Sequence, residues 1–268
     1  MVIDPQDPLA RRVPVLEARQ LRLRAGDRLL GQTLNFALQP GQCWGLLGPN
    51  GVGKTSLLHT LAGLRPPAAG TVRLLGQELS SWRRRQLAQV LGLLLQDQEP
   101  RFPLPVLDWV LAGRYPHLGP WDWPGAEDQR LALAALEQVG LTELAQRDMQ
   151  TLSSGERQRV AIATLLAQGP RFLLLDEPVE HLDLREQVRI LDLVRRLRDQ
   201  GTAILMSLHD PNFALRACDH LILLDEHRGT CGPTLEVGTT DALSRLYGIS
   251  LGMLSGPHGP ILVPGQGR

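Results

Sequence analysis

The stretch GQCWGLLGPNGVGKTSLLHTLAGL, residues 41–64, decides the fold class of this chain. Its apolar beginning predicts a buried strand over 41–48, and the run from 53 to 64 predicts a helix. Between them GPNGVGKT, residues 48–55, matches the pattern G-x-x-x-x-G-K-[ST] in the context that the pattern requires, after a strand and before a helix. The sequence therefore predicts a phosphate-binding loop, and not a glycine-rich turn that only links two elements.

Each part of this loop has a predicted task. Its glycines allow backbone N–H groups to turn inward around phosphates, and the dipole of the following helix adds positive potential. We expect Lys54 to reach the terminal phosphates, the Thr55 hydroxyl to ligate Mg²⁺ and Ser56 to add a contact at the α-phosphate. The predicted nucleotide-binding residues of the loop are Gly48, Pro49, Asn50, Gly51, Val52, Gly53, Lys54, Thr55 and Ser56.

The rest of the chain alternates apolar strands with helices. Segments 171–178, 202–210 and 221–226 predict further buried strands, and continuous apolar strands of this kind are typical of a parallel sheet covered on both faces. Residues from about 97 to 170 have a mostly helical pattern, which predicts an α/β fold with an inserted helical subdomain. The predicted boundaries are a flexible leader at 1–13, one domain at 14–250 and a Gly/Pro-rich tail at 251–268.

Composition narrows the class of protein. Hydrophobic residues make up 43% of the chain, which indicates a globular protein. Lys plus Arg and Asp plus Glu number 28 each, and this neutral balance argues against nucleic acid as the main partner. The three cysteines show no metal-ligand spacing and suit reduced cytosolic thiols. We find no signal-peptide pattern and no apolar run near the ~20 residues that a membrane span needs, so any contact with a membrane is expected to go through another protein.

The motif FLLLDEP, residues 172–178, ends a predicted strand in two acids. Asp176 would stand at the carboxyl end of that strand beside the phosphate loop, where open α/β sheets bind ligands. We expect Asp176 to support Mg²⁺, and Glu177 to accept a proton from the water that attacks the γ-phosphate. An acidic pair after a strand is by itself more often a helix cap or a solvated turn, and it is the phosphate loop that favours the catalytic interpretation.

Two more polar residues end predicted strands. His209, in SLHDPN at 207–212, would face the nucleotide, although a single histidine in such a place is commonly structural. Gln96 follows LGLLL and is placed for Mg²⁺ or water, or for neither. Asp210 and Pro211 suit the N-cap and the first position of the next helix.

The segment TLSSGERQRV, residues 151–160, admits two interpretations. Ser153 with Glu156 three residues later is a capping-box pattern that starts a helix. A helix N-terminus is also a ready-made anion site. The residues alone leave open whether this turn only begins a helix or also binds a ligand.

The order of these motifs, with HLD at 181–183 between the acids and the histidine, resembles that of the ATP-binding cassette family. The resemblance extends from about Val15 to Tyr247, and LSSGERQR before a strand that ends in Asp-Glu is its most specific part. It implies a P-loop NTPase (RecA-like) core with an N-terminal antiparallel β subdomain and an inserted α-helical subdomain. It also implies ATP and Mg²⁺ as cofactors, and a nucleotide-sandwich homodimer as the working form.

The same resemblance implies a role for each matching position. Ser153 and Gly155 belong to a signature sequence that contacts the γ-phosphate of ATP held by a second copy, and Asp183 lies in the loop that crosses to that copy. The implied catalytic residues are Glu177 as general base, His209 as switch histidine, and Gln96. The implied magnesium ligands are Thr55, Gln96 and Asp176.

Four positions depart from the family pattern. Ala25 stands where an aromatic residue usually stacks on adenine, and the loss of stacking could cost ~1–3 kcal/mol and loosen nucleotide choice. Ser154 stands where the signature usually has glycine. Val179 and Pro211 replace a small polar and an aliphatic residue. None of the four removes a catalytic group, so ATP hydrolysis is expected.

Within the family, VLAGRYPHLGPW (110–121), LAQGP and EPVEHLDLREQ look most similar to ATPases of importers for iron–siderophores, haem and cobalamin. Such subunits pair with an integral membrane permease and a periplasmic binding protein, which implies a cytoplasmic protein peripheral on the inner face of the membrane. The block 102–123 lies where the family docks onto the permease. Trp109 is expected in the core, whereas Trp121 and Trp123 suit either an exposed contact or a loop plug.

Rival functions remain at this point. An exporter or an assembly ATPase would carry the same catalytic motifs. A DNA- or ribosome-associated relative is opposed by the neutral charge and by the single compact cassette. A degenerate scaffolding cassette is disfavoured because Lys54, Glu177 and His209 are all present.

Overall fold

The computed structural model describes residues 14–25, 28–30, 33–95, 102–256 and 259–265. The strands, in chain order, are β1 (Leu16–Arg22), β2 (Arg24–Ala25), β3 (Arg28–Leu29), β4 (Leu34–Leu38), β5 (Cys43–Leu47), β6 (Ala69–Leu74), β7 (Gln77–Glu78), β8 (Leu91–Leu94), β9 (Phe172–Leu175), β10 (Ala203–Ser207), β11 (His220–Leu224), β12 (Gly229–Pro233), β13 (Leu251–Gly256) and β14 (Gly259–Pro264). The helices are α1 (Lys54–Leu61), α2 (Arg84–Ala88), α3 (Val106–Leu111), α4 (Ala126–Gln138), α5 (Ser154–Gln168), α6 (Leu184–Asp199), α7 (Pro211–Ala217), α8 (Thr234–Val237) and α9 (Thr240–Tyr247).

A six-stranded sheet in the order β12-β11-β5-β10-β9-β8 forms the centre of the described chain. Its strands from β8 to β11 run parallel, as the continuous apolar patterns predicted, while β12 adds an antiparallel edge to β11. Each strand serves two cores because successive side chains point to opposite faces. In β9, Leu173 and Leu175 enter one core and Phe172 and Leu174 enter the other.

Different elements cover the two faces. On one side lie α1 and a second sheet, which has the antiparallel order β4-β1-β6-β7. On the other side α3, α4 and α5 form the helical subdomain, and α6 packs against β10. The α/β core, the antiparallel β subdomain and the helical insertion therefore agree with the predicted fold class.

The C-terminal segment forms a hairpin of β13 and β14. The side chain of Asn212 on α7 attaches it, because Asn212 Nδ2 donates to the Leu262 carbonyl at 3.2 Å and Asn212 Oδ1 accepts from the Leu262 N–H at 2.7 Å. The Gly/Pro-rich sequence of 251–268 predicted only a tail for this segment. The predicted leader at 1–13 lies outside the described residues.

Among the described residues, no helix combines the length and the apolar character needed to cross a bilayer.

Candidate functional site

The carboxyl ends of three neighbouring parallel strands build the candidate site. The phosphate loop follows β5, and Asp176 and Glu177 follow β9. Ser207 is the last residue of β10, and His209 lies two residues beyond it. Strand β10 pairs with both of the others, with Met206 opposite Gly45 on one side and Leu175 on the other. The three groups therefore meet at one edge of the sheet, where the topology of such folds binds ligands.

Backbone geometry explains two glycines of the phosphate loop. Gly53 has φ of +113°, a conformation that residues with a Cβ rarely adopt. A Cβ at Gly48 would collide with the backbone carbonyl oxygen of Leu224 at the end of β11. The loop therefore reaches its shape only with glycine at these two positions.

Lys54 is the first residue of α1 and is buried, with 6% of its surface exposed. Its Nζ donates to the carbonyl oxygen of Gly48 at 2.9 Å, so the ammonium is folded back over its own loop. Burial lowers the pKa of Lys54, and the carboxylates of Glu177 and Asp176 act in the opposite direction. A buried cation held over the loop is the arrangement from which an ammonium can reach a phosphate.

Asp176 is 2% exposed, and both of its carboxylate oxygens accept hydrogen bonds. The Thr55 hydroxyl donates to Oδ2 at 3.0 Å, and the Ser207 hydroxyl donates to Oδ1 at 2.6 Å. A hydroxyl and a carboxylate oxygen side by side are the hard donors that Mg²⁺ prefers. The residues present thus fit the predicted magnesium site.

Glu177 and His209 form the centre of the site. His209 Nε2 lies 2.6 Å from Glu177 Oε1, and the Glu177 N–H donates to the Ser207 hydroxyl at 2.8 Å. Burial raises the pKa of Glu177 to about 8, a hydrogen bond to Glu180 and that residue's charge add to the rise, and Lys54 opposes it. Burial and the neighbouring acid therefore favour the protonated form of the Glu177 carboxyl in this conformation.

Sequence reasoning missed two residues of this site. Ser207 is fully buried and links Asp176 to the backbone of Glu177, but a serine that ends an apolar strand gives no separate signal. Glu180 has its Oε1 3.4 Å from His209 Nε2, although nothing in EPVEH marks the second acid as part of the site. Both lie beside the predicted catalytic pair.

An open cavity of about 360 Å³ lies in front of these groups. Its lining combines phosphate-loop residues with the two glutamates and the histidine, namely Asn50, Gly51, Gly53, Lys54, Thr55, Ser56, Glu177, Glu180 and His209. A backbone-lined anion cradle thus faces an acid–base pair, and this arrangement suits phosphoryl transfer to water.

The signature segment, residues 151–160, begins helix α5 and lies apart from this cavity. The Ser153 hydroxyl accepts from the Glu156 N–H at 3.2 Å and Glu156 Oε2 accepts from the Ser153 N–H at 2.8 Å, which confirms the capping box. Gly155 is buried against α6, where a Cβ would lie 2.6 Å from Glu186 Cγ. Ser153 and Ser154 are exposed, and neither lines the cavity described above. A phosphate contact at this helix end therefore needs a ligand other than one in that cavity.

The remaining predicted residues have these positions. Asp183 caps α6, since its Oδ1 accepts from the Glu186 N–H at 2.9 Å. Asp210 is the N-cap of α7 and Pro211 its first residue, as predicted. Gln96 and the side chain of Ala25 lie outside the described part of the structure.

The tryptophans of the helical subdomain divide as follows. Trp109 is partly buried and packs against the core. Trp121 and Trp123 are 92% and 88% exposed, so the alternative of a loop plug is wrong for both of them.

Comparisons with known proteins agree with this geometry. The sequence pattern of the ABC transporter family matches residues 32–180. The iron(3+)-hydroxamate import ATP-binding protein FhuC of Bacillus subtilis (strain 168) is 39% identical over 247 residues, which cover 91% of each chain. The hemin import ATP-binding protein HmuV of Bordetella bronchiseptica is 40% identical over 257 residues, which cover 91% of this chain and 96% of that protein.

A solved structure gives the same result for the fold. A chain from an inward-facing transporter described as of the metal-chelate ABC type superposes with a TM-score of 0.84 at 28% identity, over 94% of this chain and 97% of that one. Sequence pattern, full-length relatives and fold all lead to one assignment. The chain belongs to the ABC transporter family, as one of its ATP-hydrolysing cassettes.

Proposed function

We propose that this chain is the energy-coupling ATPase of an importer for a metal chelate of the iron–siderophore, haem or cobalamin class. One observation carries the proposal: the phosphate loop, Asp176, Glu177 and His209 meet at a single sheet edge, in a chain that aligns over 91% of its length with an iron(3+)-hydroxamate import ATP-binding protein. The transported chelate would be selected by a separate permease and by a periplasmic binding protein.

The predicted chemistry is hydrolysis of the γ-phosphate. The loop N–H groups and Lys54 would hold the triphosphate, and Thr55 and Asp176 would hold Mg²⁺, which neutralises charge on the phosphates when bound. Glu177 would take a proton from the attacking water, and His209 would orient that water or the γ-phosphate. Since the pKa of Glu177 is raised to about 8 in the present arrangement, the carboxyl must lose its proton and its bond to His209 before it can act as a base.

We further propose that two copies enclose the nucleotide. The N-terminus of the 15-residue helix α5 is exposed and carries the partial positive charge of the helix dipole. In the dimer this end, with Ser153 and Gly155, would face the γ-phosphate bound by the other copy, and Asp183 would cross near it. Closure would also exclude water and strengthen the electrostatics at the reacting phosphate.

The permease would dock on the helical subdomain. Trp121, Trp123 and Tyr115 there are large exposed aromatic side chains, and aromatic residues of this kind are enriched at protein interfaces. Nothing in the site itself favours export or nucleic acid as the task of this cassette, and the named relatives are import subunits.

The test is reconstitution. The chain is combined in proteoliposomes with a candidate permease and binding protein from the same genome, and ATP-dependent uptake of ferric hydroxamate, haem and cobalamin is measured. We expect uptake of one of the three, abolished by Glu177→Gln and reduced when Trp121 and Trp123 are both changed to Ser. The matched control is Leu235→Ser, which removes another side chain that is 91% exposed and should leave uptake unchanged. ATP-driven efflux, or no coupling to any permease, would contradict the proposal.

A further inference from the structure

We propose that Glu180 is a positioning residue of this site, which takes over the Nε2–H of His209 and so releases Glu177 for the attacking water. The inference rests on the proposed roles of Glu177 and His209. It adds a residue that the family motifs of this chain did not single out.

The geometry places two acceptors around one donor. His209 Nε2 is 2.6 Å from Glu177 Oε1 and 3.4 Å from Glu180 Oε1. Ligating atoms of all three side chains lie within 4.8 Å of one another. The proton on Nε2 can thus pass from a bond with one carboxylate to a bond with the other by a small rotation of the ring.

The local backbone holds the two carboxylates on the same side. Glu177 has φ of +51°, a left-handed conformation that is unusual for glutamate, and the Glu180 N–H donates to the Glu177 carbonyl at 3.2 Å. This tight turn brings Glu180, three residues later, back toward the cavity that Lys54 also lines. A strained residue in a site of this kind is maintained by its surroundings, here by the Ser207 hydroxyl that accepts the Glu177 N–H at 2.8 Å.

A second acceptor for the Nε2–H of His209 would help Glu177 to act as a base. While Glu177 Oε1 accepts the short bond from His209, that bond occupies one acceptor site of the carboxyl and makes it a weaker base for a water. Moving His209 away without another acceptor would leave the Nε2–H unpaired, and a hydrogen bond to a charged group is worth roughly ten- to hundredfold in an equilibrium constant. Glu180 removes this cost by accepting the Nε2–H. Because the side chains of Glu180 and His209 are 27% and 38% exposed, we expect the loss of Glu180 to have an effect near tenfold, the lower end of that range.

The kinetic test uses ATPase assays of the intact chain. Glu180→Ala should lower kcat about tenfold and leave KM for ATP within about twofold, because the phosphate contacts are untouched. Glu180→Gln keeps an acceptor oxygen of the same reach and should restore kcat to within about threefold of the wild type. The matched control is Glu143→Ala, an exposed glutamate of the helical subdomain, which should leave kcat unchanged.

A double-mutant cycle separates positioning from a general structural role. In a His209→Ala background, Glu180→Ala should cause no further loss, because the ring that it positions is gone. Wild-type kcat in Glu180→Ala, equal losses in Glu180→Gln and Glu180→Ala, or a full tenfold loss on top of His209→Ala would each overturn the inference. If Glu177→Gln keeps normal turnover, the proposed function fails instead; if Glu177→Gln is inactive and Glu180→Ala is normal, only the present inference fails.

Discussion

Removal of the Ser207 hydroxyl tests how the site is held together. Ser207 is fully buried at the end of β10, donates to Asp176 Oδ1 at 2.6 Å and accepts from the Glu177 N–H at 2.8 Å. Ser207→Ala removes a bond to a charged group, worth about 1.5–3 kcal/mol, and leaves a backbone N–H without that partner at a cost of about 1–3 kcal/mol. Since the two costs share one atom and are not additive, we predict a loss of about 3 kcal/mol in the free energy of unfolding.

The measurement is urea unfolding of the wild type and the variant, followed by far-UV circular dichroism. The midpoint should fall while the slope stays the same, since a change in slope would indicate a change in compactness. The matched control is Ser81→Ala, which removes an exposed hydroxyl that donates to the Glu78 carbonyl at 2.6 Å and should change stability by less than about 0.5 kcal/mol. If Ser207→Ala loses no more than Ser81→Ala, the bridging role of this hydroxyl is refuted.

Three further predictions concern the same region. Lys54 is the sole lysine of the sequence and, although mostly buried, it lines the open cavity, so an amine-selective reagent should label it slowly. ATP should protect Lys54 from the reagent but leave labelling of the N-terminal amine unchanged, and equal labelling of Lys54 with and without ATP would contradict the phosphate site. The pKa of Glu177 is raised from 4.5, its ordinary value, to about 8 in the folded chain. Between these two pH values the folded chain holds a proton that the unfolded chain has released. The free energy of unfolding must therefore fall as pH rises in this range, by at most about 1.4 kcal/mol per pH unit. Melting temperatures from pH 5.5 to 8.5 should therefore fall more steeply in the wild type than in Glu177→Gln, and parallel curves would show that the shift is absent. Gly155→Ala should cost about 1–3 kcal/mol in the free energy of unfolding, because the new Cβ would lie 2.6 Å from Glu186 Cγ. The control is Ser154→Ala at the neighbouring exposed position, which should be nearly neutral. Equal urea midpoints for the two variants would show that the packing of α5 on α6 does not need the glycine.

Residues whose role follows from local pattern could be predicted from the sequence. The phosphate loop is a continuous motif between a strand and a helix, and the capping box at Ser153 needs only its neighbour three residues away. Asp176 and His209 could be placed at one sheet edge because each follows an apolar run, and apolar runs in an α/β pattern become parallel strands. The structure brings these groups together as that reasoning expected.

Residues whose role depends on register or on backbone conformation could not be predicted. Ser207 acts because β10 pairs with β9 in the register that sets it beside Asp176, and no pattern in AILMS indicates that register. Glu180 reaches His209 because Glu177 adopts φ of +51°, which residue type alone does not predict. The C-terminal hairpin depends on long-range bonds from Asn212, so its Gly/Pro-rich sequence suggested only a tail.

In the proposed dimer, each ATP site combines the phosphate loop of one copy with the signature helix of the other. Lys54→Ala should disable the loop half, and Ser153→Arg should disable the signature half without preventing ATP binding. Each variant alone should be inactive, but in an equal mixture half of the dimers contain both chains, and one of the two sites in each of those is intact.

Mixing these two variants is therefore the most direct measurement. ATPase activity of the mixture should recover to about a quarter of the wild-type rate, as a two-fold dimer with independent sites requires. A mixture of Lys54→Ala with Glu177→Gln, whose lesions both lie in the loop half, should show no recovery. If the Lys54→Ala and Ser153→Arg mixture is no more active than its separate components, the shared-site account is wrong.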